Sequence, residues 1–66
     1  MTITLNGKSH ELTAPCSVAG LLESLGLAGR PVVVELDEAA LLPREYPERQ
    51  VVAGARLEII TIAAGG

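Results

Sequence analysis

The side chains in this sequence that could do chemistry are few and scattered. His10 is the single histidine, and it falls on a short polar stretch that reads as an edge strand, where a solvated surface role suits it better than proton transfer. Cys16, the single cysteine, stands in a loop just before a helix start. With no second cysteine it forms no internal disulfide, and no histidine lies near it in sequence to activate the thiol. Glu45 and Glu48 flank Pro47 in a charged segment and read as a solvated face, since an acid–base pair needs a pocket around it. No spacing of ligating residues suits a metal. Gly26-Leu27-Ala28-Gly29 lacks the Lys-Ser/Thr that a phosphate-binding loop requires.

What remains is the last stretch, Ile62-Ala63-Ala64-Gly65-Gly66. Its reactive group is the carboxylate carried by Gly66. At neutral pH a carboxylate is an anion and a poor acyl acceptor. To react it must be activated, and adenylation by ATP, with Mg²⁺ offsetting the phosphate charge, is the common route. The chain offers no motif for binding ATP, so the sequence points to a separate activating enzyme and to no cofactor held by this chain. Glycine has no Cβ, which lets backbone enter a narrow channel and lets a nucleophile approach the carbonyl. Ala63, Ala64 and Gly65 would form the threading arm. From Ala63 to Gly66 the extended reach is at most about 13–14 Å. The arm is uncharged, which lowers the desolvation cost of entering such a channel.

The elements that must position this group follow from pattern. The chain has 66 residues, enough for a single small domain. Hydrophobic residues make up 48% and charged residues 20%, which excludes a highly charged disordered chain. Tyr46 is the only aromatic residue, so the core must be aliphatic and no platform for stacking bases exists. The net charge is −3, and the basic residues Lys8, Arg30, Arg44, Arg49 and Arg56 form no stripe. Nucleic acid is therefore not an expected partner, whereas a basic protein surface is. No leader pattern and no apolar run of about 18 residues occurs, so the expected compartment is the cytoplasm, with no membrane role.

Residues 1–5 alternate apolar and polar as a strand does. Asn6-Gly7 is the pair best suited to a type I′ hairpin turn, returning the chain along residues 8–12. Residues 13–17 read as a connector ending in Ser17, a good N-cap. Val18, Leu21, Leu22 and Leu25 recur at helical spacing over about nine residues, and Gly26 sits where a left-handed cap belongs. Residues 32–36 form a β-branched run fit for an interior strand. Residues 37–40 read as a turn, Leu41-Leu42 as a very short strand stopped by Pro43, and residues 44–50 as irregular with at most a helical turn. After a turn at Gly54, residues 56–62 form the last strand.

This order predicts an α+β fold of β-grasp, or ubiquitin-like, topology: a mixed sheet of about four to five strands with one helix packed across one face. Residues 1–62 would be the domain and residues 63–66 a flexible C-terminal tail. If Leu57 and Ile59 face the helix, Ile60 and Ile62 fall on the uncovered face beside the tail. They are therefore candidates for a partner-docking patch.

The Asn6-Gly7 hairpin, Leu-Leu-Pro-Arg-Glu at 41–45, Val-Val-Ala-Gly-Ala-Arg-Leu-Glu-Ile-Ile at 51–60 and the closing Ala-Ala-Gly-Gly together resemble the ThiS family of sulfur carriers in thiamine biosynthesis. The resemblance runs over nearly the whole chain. It implies a carrier acted on by enzymes rather than an enzyme. A ThiF-like adenylyltransferase would use ATP and Mg²⁺ to adenylate the Gly66 carboxylate. Sulfur from a cysteine desulfurase persulfide would convert it to a thiocarboxylate, and a ThiG-like thiazole synthase would accept the tail and take the sulfur. Gly65 would be the paired glycine that admits the tail. The sequence departs from the family pattern at Glu38, where members often carry Asn in a polar turn that Asp37 can still serve. Other readings are a MoaD-like carrier for molybdopterin, a carrier for cysteine or siderophore synthesis, a ubiquitin-like modifier joined to lysines, and a binding domain whose Gly-Gly is incidental. MoaD-like chains are usually longer and carry aromatic docking residues, and this chain has no Phe.

Overall fold

The computed structural model describes residues 1–62. Thr2–Leu5 (β1) and Lys8–Glu11 (β2) pair antiparallel, with Leu5 opposite Lys8. Asn6 and Gly7 close the hairpin at φ values of 51° and 79°, the left-handed pair that a type I′ turn demands. Asn6 has a second role. Its Oδ1 accepts the Ile59 N–H at 2.7 Å, and its Nδ2 donates to the Ile59 carbonyl at 3.1 Å. The side-chain amide thus continues the β1 ladder by one step along the last strand.

Residues 13–17 differ in part from the expected connector. Cys16–Ser17 (β3) pairs antiparallel with Gln50–Val51, placing Cys16 opposite Val51. This pairing carries the chain into Val18–Ser24 (α1), whose exposed N–H groups are met one by one. Val18 donates to the Arg49 carbonyl and Ala19 to the Tyr46 carbonyl, each at 2.9 Å. Gly20 donates to Ser17 Oγ at 3.0 Å, the N-cap bond expected from the sequence. At the other end Gly26 adopts φ +75°. Its N–H reaches the Glu23 carbonyl at 3.0 Å, and Leu27 N–H reaches the Leu22 carbonyl at 2.8 Å. Together these two bonds make a complete Schellman cap.

Val32–Leu36 (β4) is the expected β-branched strand, but its hairpin partner lies two residues earlier than the sequence suggested. The partner is Ala39–Ala40 (β5), not Leu41-Leu42. Asp37 and Glu38 both take positive φ, 49° and 72°, and so reverse the chain in two residues without a glycine. Leu41 still donates to the Val34 carbonyl at 2.9 Å and drops into the core, whereas Leu42 is exposed. A 3₁₀ turn at Pro43–Glu45 follows, then Gln50–Val51 (β6). Glu45 is no free surface acid: its carboxylate accepts the Leu42 N–H at 2.7 Å and pairs with Arg49 at 3.4 Å. The charged segment read as irregular thereby presents the carbonyls of Tyr46 and Arg49 to the helix.

Arg56–Thr61 (β7) enters the middle of the five-stranded sheet, whose order is β2-β1-β7-β4-β5. It runs parallel to β1 and antiparallel to β4, opposing Thr61 to Val32, Ile60 to Val33 and Glu58 to Glu35. The helix lies on one face only. Beneath it Ile3, Val18, Leu21, Leu22, Val34, Leu36, Leu41, Val51, Ala55, Leu57 and Ile59 form the buried aliphatic core. Among the described residues, no polar or charged side chain is buried with it.

Candidate functional site: the end of the last strand

Strand β7 is the element that aims the chain's end. It is held on one side by β4 and on the other by β1 as far as Leu57, with the Asn6 amide gripping Ile59. The anchoring runs to the last described residue, where Ile62 N–H donates to the Pro31 carbonyl at 3.0 Å. Strand alternation sends Leu57 and Ile59 into the core and turns Glu58 and Ile60 outward. Ile60 is 60% exposed and Ile62 51% exposed, as the alternation predicts. Ala63, Ala64, Gly65 and Gly66, the expected arm and reactive end, lie outside the described residues.

Sequence reasoning missed two neighbours of Ile60. Val33, 42% exposed, stands directly opposite it in register. Glu35 and Glu58 face each other one row further along and are both exposed. The period-two pattern of Val32–Leu36 shows that Val33 and Glu35 share a face. Which residues of β7 they meet requires the register, and no local signal carries that.

On the helix side of the same end, Leu22, Leu27, Arg30, Pro31, Val32 and Tyr46 line an open hollow of about 300 Å³. Its walls are mainly apolar, with Arg30 and Tyr46 as its polar members and no acid or histidine among them. The remaining candidates are dispersed. Cys16 is half-buried on β3, and His10 is half-buried on β2, opposite Ile3. Among the described residues, no group of three or more His, Cys, Asp or Glu could hold a metal ion, and no helix is long and apolar enough to cross a membrane. The described domain presents an exposed sheet face and a last strand anchored on both flanks.

Comparison with known proteins places this arrangement. No curated protein matches the sequence. A solved structure of the thiamine biosynthesis protein ThiS from Geobacter metallireducens is similar at 29% identity and a TM-score of 0.85, with the match covering 100% of each chain. Helix, sheet and strand order are thus those of a small ubiquitin-like β-grasp protein. The model of the ThiS family matches residues 3–66, from the first strand through the final glycines, and the chain belongs to that family.

Proposed function

We propose that this protein is a sulfur carrier of thiamine biosynthesis, a co-substrate for enzymes, and that its chemistry takes place on the carboxylate of Gly66. The observation that supports this most is the family match itself, which extends through Gly65 and Gly66. The fold supports it too, since the last strand is braced on both flanks and ends in exposed apolar residues.

A ThiF-like adenylyltransferase activates the carboxylate. The carboxylate oxygen attacks the α-phosphorus of ATP, pyrophosphate leaves with Mg²⁺ balancing its charge, and an acyl adenylate results. AMP is then a good leaving group. The terminal sulfur of a cysteine desulfurase persulfide attacks the acyl carbon and AMP leaves, giving an acyl disulfide. A second thiol, such as free cysteine, then attacks the desulfurase sulfur, releasing the Gly66 thiocarboxylate and leaving a disulfide that carries the oxidation. A ThiG-like thiazole synthase takes the sulfur into the thiazole ring. In each encounter the domain stays outside while Ala63, Ala64 and Gly65 thread the channel, and Ile60 and Ile62 rest on the partner surface.

Intact mass spectrometry tests the reading. Protein incubated with the adenylyltransferase, ATP, Mg²⁺, the desulfurase and cysteine should gain about 16 Da, one oxygen replaced by sulfur, localised to Gly66. Adding the thiazole synthase and its substrates should return the mass to its starting value. Larger adducts linked to lysines, with no gain of that size, would replace the carrier by a protein modifier.

A further inference from the structure

The sheet face left uncovered by the helix is divided into two rows across β4 and β7. One row is apolar, Val33 opposite Ile60, continued by Ile62. The next row is acidic, Glu35 opposite Glu58. Directly opposed residues on a sheet face carry their Cβ atoms about 4.5–5.5 Å apart, and like charges so placed repel. Among the described residues, neither carboxylate has an ion-pair partner. The domain therefore holds two acids side by side next to an apolar strip, and Arg56, two residues before Glu58 on the same face of β7, forms no ion pair with either.

We infer that this face docks a protein surface with an apolar centre and a pair of Lys or Arg side chains beside it, the two basic groups meeting Glu35 and Glu58. Charge complementarity selects this occupant. An apolar partner without cations would bury the acids unpaired, and a second copy of this chain would present them with acids again. The rows are two residues apart along the strands, which sets the partner's basic pair about 7 Å from its apolar centre. The apolar row supplies contact area, while the acidic row fixes which way round the partner sits. Orientation matters because the end of β7 points along this face, and only one docking direction feeds the residues after Ile62 into the partner. The inference rests on the docking role proposed above for Ile60 and Ile62 and adds the charge that the partner must carry.

Binding of the purified adenylyltransferase by titration calorimetry at low and high ionic strength tests it. The chains compared are the unaltered protein, the double variant Glu35→Gln/Glu58→Gln and the single variant Ile60→Asp. Neutralising both acids should weaken binding about threefold to tenfold at low salt and remove most of its salt dependence. The same variant should unfold at an unchanged or higher temperature, because the repulsion is gone. Weakened binding with a lowered melting temperature would overturn the inference. So would full affinity in the double variant, even where Ile60→Asp alone abolishes binding and leaves the apolar docking role standing. Failure of the carrier reading is seen separately, as no gain of about 16 Da in the unaltered protein.

Discussion

Asn6 shows how much a single residue can do in a small domain. Its backbone supplies the first left-handed position of the opening turn, and its amide supplies a two-bond bridge to Ile59 in the strand that leads to the chain's end. The turn role is visible in the sequence because Asn-Gly has a strong local preference. The bridging role is not, since it joins residues that are 53 positions apart. Asn6→Gly separates the two, because glycine keeps the turn conformation and deletes both side-chain bonds. Each such bond contributes about 0.5–1.5 kcal/mol net, so the variant should lose about 1–2 kcal/mol in urea unfolding. Domains of this size have only about 3–10 kcal/mol in all. An unchanged unfolding midpoint would show that the amide bridge is not holding β7.

At the scale of elements, the second hairpin is the one built against local preference. Asp37-Glu38 turns in two residues at φ 49° and 72°, the second of which strongly favours glycine. Glu38 is also where the sequence departs from the Asn often found in the family, and its left-handed backbone gives that departure a physical meaning, as Asn tolerates this region better than Glu. Glu38→Gly should therefore stabilise the domain by about 0.5–1 kcal/mol, less whatever glycine adds to the entropy of the unfolded chain. A scanning calorimeter should register a rise of a few degrees, and a fall would mean that the Glu38 side chain has a contact worth more than the strain. The same turn places β5 at Ala39–Ala40, two residues before the more strand-like Leu41-Leu42. Residues 37–40 read as a turn, but with no glycine among them nothing local confines the reversal to Asp37-Glu38. The helix was legible because period, N-cap and Gly26 all agreed. Strands β3 and β6 were not, since two residues are too few to show a period and their pairing depends on the distant 46–51 segment. The site divides in the same way. The outward direction of Ile60 followed from alternation along one strand, whereas the apposition of Glu35 and Glu58 needed a register that only the assembled sheet defines.

Taken whole, the molecule separates what makes it stable from what is proposed to make it useful. Among the described residues, every member of the buried core lies from Ile3 to Ile59, and the hydrogen bonding closes at the Ile62–Pro31 contact. The reactive carboxylate of the proposed function lies beyond both. A domain whose described core ends at Ile59 can present the same mount to successive enzymes that act on the proposed reactive end. Deleting Gly66 therefore discriminates between a carboxylate with a chemical role and one that only ends the chain. The truncated protein should match the full one in urea midpoint and in affinity for the adenylyltransferase to within a few fold, if docking rests on the exposed sheet face. It should nevertheless show no gain of about 16 Da under conditions that convert the full chain. Sulfur incorporation at Gly65 in the truncated protein would show that the enzyme accepts any terminal glycine, and that residue 66 is not specified by its distance from the domain. A lowered urea midpoint would show instead that the terminal residue contributes to the fold.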